Sequence, residues 1–151
     1  MQLNWACKPF EELSTTELYS ILQLRAEVFV VEQNCVYQDI DGKDLKSTHL
    51  MAWEDENLVA YTRLVPIGIS FTEASIGRVI TSPRYRGLGI GVTLMEKSIA
   101  KTLEIYQTDR IRIGAQLYLK KFYESLGFVA EGEEFLEDGI PHIEMLLVKK
   151  Q

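Results

Sequence analysis

A chain of 151 residues, 46% apolar and 25% charged, fits one domain spanning 1–151 with a proper core, and its composition is that of a soluble globular protein. Its net charge of −6 argues against a nucleic-acid partner, whose phosphates demand a basic footprint, though an acidic surface suits a cationic amine. Its apolar runs are far too short to span a bilayer. Met1-Gln2-Leu3-Asn4-Trp5 has neither the basic flank nor the apolar core of a signal peptide, so a cytoplasmic protein with no membrane partner is expected.

Leu3 to Cys7 is expected as a short strand. Ser14-Thr15-Thr16-Glu17 is a capping box, with Leu13 and Leu18 as the matching hydrophobic staple, so a helix should start there. Leu18, Ile21, Leu22, Arg25, Val28 and Phe29 continue at helical spacing. Arg25 interrupts that apolar face and should snorkel out or, on the safer reading, meet an acid. Gln33 to Ser47 reads as a loop or a broken second helix. Within it Asp39, Asp41 and Gly42 hint at a calcium loop, but the glycine spacing and the closing glutamate do not match, and a turn is the better reading. His49 to Trp53 and Leu58 to Val65 form an antiparallel hairpin around Glu54 to Asn57. After a loop over Pro66 to Ala74 come a strand from Ser75 to Thr81, a glycine-rich turn and an amphipathic helix to about Tyr106. Arg110 to Ala115 alternates as a strand does. Gln116 to Leu126 is expected as a helix stopped by Gly127. Phe128 to Glu134 and Ile143 to Lys149 close the chain as two strands. The order is that of a mixed α/β fold whose central sheet is covered by helices on both faces.

The glycine-rich turn is Arg86-Gly87-Leu88-Gly89-Ile90-Gly91, three glycines in six residues. No side chain blocks such a loop, so its N–H groups can turn inward as a nest for an anion. The following helix adds its unpaired N–H groups and the positive end of its dipole, and Arg84 and Arg86 add full charges at the rim. This is a candidate phosphate site. The dinucleotide fingerprint does not fit, because the third glycine comes one place early, and the P-loop does not fit, because its lysine is missing.

Arg86-x-x-Gly89-x-Gly91 resembles the pyrophosphate-binding motif of the GNAT superfamily, the acyl-CoA-dependent N-acyltransferases. Downstream, the segment from Gln116 through Tyr123 to Gly127 and Phe128 resembles that family's N-x-x-A-x-x-x-Y-x-x-x-G-F, with Gln116 in place of the usual asparagine and Leu119 in place of the usual alanine. Leu24 to Gly42 and Glu137 to His142 resemble the ElaA-like branch. The resemblance implies the GNAT fold, a mixed, mostly antiparallel sheet of about seven strands. Its fourth and fifth strands splay apart to take the acyl-pantetheine arm.

The resemblance further implies acetyl-CoA as co-substrate, held at Arg84, Arg86, Gly87, Leu88, Gly89, Ile90, Gly91 and Gln116. It also implies that the backbone of Val79, Ile80 and Thr81 pairs with the pantetheine amides and offers an N–H to the thioester oxygen. Tyr123, whose phenol carries a usable proton, becomes the acid for the departing thiolate. Glu32, His49, His142 and Glu144, or a water chain, stay open as the base. No metal is expected, and Cys7 and Cys35 fall in no zinc, redox or nucleophilic pattern. The reaction would be acetyl transfer to a small-molecule or peptide amine by direct attack in a ternary complex. The alternative is a non-catalytic acyl-CoA sensor. Exposed strand edges leave room for a homodimer.

Overall fold

The computed structural model describes residues 1–150; Gln151, the end of the expected domain, lies outside the described residues. The first strand, β1 (Asn4–Pro9), leads through a short 3-10 turn into α1 (Thr15–Arg25). The capping box is present in full. Ser14 Oγ accepts from the Glu17 amide at 3.0 Å, and the Glu17 carboxylate accepts from the Ser14 amide at 2.8 Å. Lys8 Nζ reaches the same carboxylate at 3.0 Å, which ties the start of the helix to β1. The helix does not end at Arg25. It widens into a π-helical turn, Ala26–Glu32, in which the Gln33 amide reaches back to Val28 at 3.2 Å and the Cys35 amide to Val30 at 3.1 Å. From there to Ser47 the chain is a loop, save for a 3-10 turn at Lys43–Lys46.

The strands β2 (Thr48–Glu54), β3 (Asn57–Val65) and β4 (Ser75–Thr81) join β1 in an antiparallel sheet of order β1-β2-β3-β4. Side chains alternate across it. Met51, Tyr61 and Ile80 face Ile21, Leu24 and Val28 of α1 and the π-turn. Leu50, Ala52 and Ala60 face the other way, onto Ile90 and Leu94 of α2 (Ile90–Ile105). The sheet is therefore sandwiched, as the order of elements predicts. Burying a side chain such as Leu94, which is 0% exposed, contributes about 1.5–3 kcal/mol.

A second sheet holds β5 (Arg110–Gln116), β6 (Val129–Glu137) and β7 (Ile140–Val148) in the order β5-β7-β6. The last two are longer than their apolar pattern suggests. They meet at the two-residue turn Asp138-Gly139, with φ of +51° and +77°, the left-handed pair that closes a tight hairpin. The helix expected over Gln116 to Leu126 is shorter. Gln116 is the last residue of β5, Leu117–Leu119 form a 3-10 turn, and only Lys120–Ser125 are α-helical, as α3. Core side chains of β5, β7, α2 and α3 pack together around Ile111, Met145 and Phe128.

The two sheets meet where β4 and β5 run parallel. Among the described residues a single bridge joins them, Ala74 to Ile111, where the Arg112 amide donates to the Ala74 carbonyl at 2.9 Å. Beyond it no ladder continues among those residues, and the facing edges of β4 and β5 border a cleft.

Candidate active site

The cleft between the sheets has a volume of about 940 Å³. One side is the whole of β4. The other is the end of β5 and α3, and the π-turn and the β6–β7 hairpin also contribute.

Strand β4 is irregular where it matters most. Its pairing with β3 jumps from Tyr61–Ile80 to Arg63–Gly77, so Arg78 and Val79 together oppose Thr62. That is a bulge. Arg78 takes φ of +49°, a left-handed conformation usually left to glycine and held in non-glycine residues only by strong surroundings. Those surroundings are a set of ion pairs. Arg78 Nη2 donates to the Asp39 carbonyl at 2.9 Å, while its Nε lies 2.8 Å from Asp39 Oδ1 without aiming its hydrogen there. Arg63, one strand over, donates to both oxygens of Asp41 at 2.8 and 3.0 Å and to Asp44 at 3.1 Å. Arg25 is wholly buried, with Nη1 on Asp44 at 2.6 Å and Nε on Asp39 at 3.0 Å. The acid it was expected to meet is thus two aspartates of the loop that follows. These pairs clamp residues 39–44 against the bulge. Burial pushes Asp41 upward, yet the Arg63 fork outweighs it and holds the carboxyl at about 2.

The bulge puts backbone groups of Arg78 and Val79 out of the ladder, on a strand whose side chains line the cleft. Ile80, 2% exposed, has its side chain in the core beneath α1, so only its backbone faces any ligand question. Val79 and Thr81 are half-buried and line the cleft.

At the end of β4 the chain turns through Pro83–Tyr85 into the glycine loop. Gly87 and Gly89 have φ of +80° and +76°, so the loop needs glycine for its shape. Among the described residues no backbone carbonyl accepts from the N–H groups of Arg86 to Gly89, and no side chain caps α2. A Cβ on Gly89 would meet open space. Leu88, Gly89 and Ile90 border a separate hollow beside Leu3 and Trp5, while Arg86 and Gly91 line the cleft. Arg84 and Arg86 are exposed, while Ile90 turns inward as the first core residue of α2. Arg86 is not free. Its guanidinium grips Glu32 at the end of the π-turn through two bonds of 2.9 and 2.7 Å.

Across the cleft, Tyr123 stands on α3, 6% exposed, edge-on to Phe122 and Phe128. Burial pushes its phenol up to about 12, so it stays protonated through the neutral range. Gln116, at the end of β5, accepts from Gln33 Nε2 at 3.5 Å and also lines the cleft.

The four candidate bases separate. His49 is 1% exposed and outside the cleft lining, with Nδ1 on the Tyr61 hydroxyl at 2.6 Å and Nε2 on the Asp44 carbonyl at 3.0 Å. Its imidazole is a structural link, and burial pushes its pKa down. Glu32 is held below the usual carboxylate range by the Arg86 hydrogen bonds, which suits a counterion better than a base. Glu144 lines the cleft but is engaged by Arg112 at 3.2 Å. His142 lines the cleft and is 7% exposed. Sequence reasoning missed the Arg78 bulge and the Arg63–Asp41 pair. Neither leaves a local signal, although three aspartates within six residues, set against a buried-face arginine, point toward the clamp.

Comparison with known proteins agrees with this geometry. The family profile described as an acetyltransferase (GNAT) domain matches residues 14–149. Protein ElaA of Escherichia coli strain K12 is 43% identical over 145 residues, covering 95% of both chains. The crystal structure of Escherichia coli ElaA superposes with a TM-score of 0.88 at 42% identity, covering 97% of this chain and 99% of that one. An acyl-CoA N-acyltransferase from Pseudomonas aeruginosa superposes with a TM-score of 0.93 at 44% identity, covering 97% of this chain and 100% of that one. With a matching profile over most of its length and relatives above 40% identity on the same fold, the chain belongs to the GNAT acetyltransferase family.

Proposed function

We propose that the protein, as one domain over 1–151, transfers an acetyl group from acetyl-CoA to a primary amine by direct attack in a ternary complex. The observation that carries the reading is the cleft itself. A bulged β4 edge, Arg86 and Gly91 at the two ends of the glycine loop, and a buried protonated phenol border one cavity of about 940 Å³. Acetyl transfer needs those parts and few others. The nest at Gly87 to Gly91 and the charges of Arg84 and Arg86 hold the pyrophosphate. The open edge of β4 at Val79 to Thr81 aligns the pantetheine arm as an added strand and donates to the oxyanion as it forms. Gln116 steadies the arm from β5. Tyr123 gives its proton to the departing thiolate. No metal takes part in this scheme. Two unpaired cysteines fit a reducing compartment such as the cytoplasm, and no described helix is long and apolar enough to cross a membrane.

The test is a calorimetric titration with acetyl-CoA, with coenzyme A and ATP as comparisons, followed by an assay for free thiol across a panel of amines. One-site binding of acetyl-CoA, with ATP much weaker, and thiol release that depends on an amine are expected. Binding without release from any amine identifies a sensor and overturns the enzyme. No binding removes the cofactor as well.

A further inference from the structure

Resting on the acetyltransferase reading above, we infer that His142 is the catalytic base, with Glu137 as the residue that positions it. His142 sits near the start of β7, opposite Gln116 of β5 and Phe135 of β6, and lines the cleft. Its ring stacks on Phe135 with centroids 5.8 Å apart, which fixes its plane. Nδ1 lies 2.6 Å from the Ile140 carbonyl. A carbonyl only accepts, so Nδ1 carries the hydrogen and the neutral ring keeps its lone pair on Nε2. Nε2 lies 3.5 Å from Glu137 Oε2. Two acceptors facing each other gain nothing. Once Nε2 holds a proton, both ring N–H groups have partners and the second contact becomes an ion pair. Nε2 is thus the ring atom free to take a proton, with Glu137 beside it to pair with the imidazolium, as a base requires.

The charged groups near the ring are mostly carboxylates. Glu144 lies two residues along β7, Glu131 opposite Glu144 on β6, and Asp138 at the hairpin turn. Arg112, from β5, is taken up by Glu73, Glu131 and Glu144. From the π-turn side the Cys35 thiol donates to the Asp138 carbonyl at 3.6 Å, and Gln116 is uncharged. Among these neighbours only Arg112 is a cation; the cations that line the cleft, Lys43, Arg63, Arg78 and Arg86, come from other elements.

The step balances as follows. The bound ammonium gives one proton to His142 Nε2. The freed nitrogen lone pair forms the N–C bond to the thioester carbonyl carbon, and the C–S bond breaks with its electron pair on sulfur. Tyr123 protonates the thiolate and regains a proton from the new amide nitrogen. His142 then returns its proton to solvent, the one net proton released.

The experiment compares wild type and H142N, which keeps a donor for the Ile140 carbonyl, using the panel amine that wild type acetylates fastest. The expected result is a fall in kcat of about 10²- to 10³-fold. Acetyl-CoA affinity by calorimetry should stay within twofold, and the low-pH limb of kcat/KM should shrink to the one the amine itself imposes. Should H142N fail to fold, E137Q on the exposed hairpin end should move that limb while leaving acetyl-CoA affinity unchanged. A variant rate within threefold of wild type, or an unmoved limb, overturns the base while leaving acetyl transfer standing. A wild type that binds acetyl-CoA and acetylates no amine overturns the acetyltransferase reading and this inference together.

Discussion

Arg86, the charged residue that opens the glycine loop, is held by Glu32 through two bonds of 2.9 and 2.7 Å. The pair joins the π-turn, on the hairpin side of the cleft, to the loop proposed to hold pyrophosphate. Both side chains are more than 40% exposed, so the pair itself stabilises the fold by little, about 0–1 kcal/mol. Its effect is on the ligand. A pyrophosphate must share Arg86 with Glu32 or take it over. E32Q should therefore tighten acetyl-CoA binding by up to about fivefold, the equivalent of that ion pair. R86A should weaken it by about 10- to 100-fold, the loss of a charge-assisted bond. Calorimetry at low and moderate salt checks both, and an E32Q that binds more weakly would show Glu32 orienting Arg86 rather than competing for it.

Gly89 separates fold from ligand in a single substitution. It is the N-cap of α2, has φ of +76°, and a Cβ there meets nothing. Aspartate tolerates that left-handed conformation better than most residues but is strained there by about 1–2 kcal/mol. G89D should thus fold with a melting temperature lowered by several degrees. Its carboxylate, however, would occupy the nest and repel phosphate, so acetyl-CoA binding should fall by more than about 30-fold. Unchanged binding by calorimetry would remove the phosphate assignment from this loop.

Much of this molecule was legible in its sequence, for reasons that are local. The Ser14 capping box, the polar turn between β2 and β3, and the glycines at Gly87 and Gly89 each obey a rule whose range is a few residues, and the structure keeps all of them. Arg25 was legible as a residue that needed a partner, but its partners lie 14 and 19 residues away, and no local pattern names them. The same limit hid the bulge. Arg78 becomes left-handed because Asp39 and Asp41 reach it across a loop, not because its neighbours in the chain demand it. The helix expected from Gln116 onward failed at its start because β5 keeps Gln116 paired with His142 of β7. A tertiary ladder overrode a helical pattern there.

Tyr123 offers the cleanest reading of the chemistry. Its ring packs against Phe122 and Phe128, while its hydroxyl, with no hydrogen bond to another described residue, borders the cleft. Phenylalanine should fill the same space, so Y123F should keep its stability and its acetyl-CoA affinity. Loss of the proton donor should lower kcat by about 10²-fold or more. Because burial pushes the phenol up to about 12, the wild type should show no loss of rate from this group below about pH 10. Equal rates for Y123F and wild type would end the acid role. A weaker acetyl-CoA affinity would recast the hydroxyl as a binding group.

The arginine–aspartate clamp makes the fold sensitive to acid in a defined window. Asp41 is held at about 2 by the Arg63 fork against the upward push of burial, and Asp44 is likewise lowered, with Arg25 opposing its burial. A carboxyl depressed in the folded state stabilises it fully above the unfolded value of about 3.9 and loses that contribution as pH falls toward the folded value. Stability from this cluster should be flat from neutral pH down to about 4 and decline from there to about 2. R25M tests its core. The arginine is 0% exposed, and its removal leaves Asp39 and Asp44 short of a partner while Arg63 and Arg78 remain. The loss should be about 3–5 kcal/mol at neutral pH, read by urea unfolding, and smaller at pH 3, inside the window where the charge of Asp44 contributes less. A variant whose deficit is the same at both values would show that Arg25 acts through packing of its side chain, not through its charge.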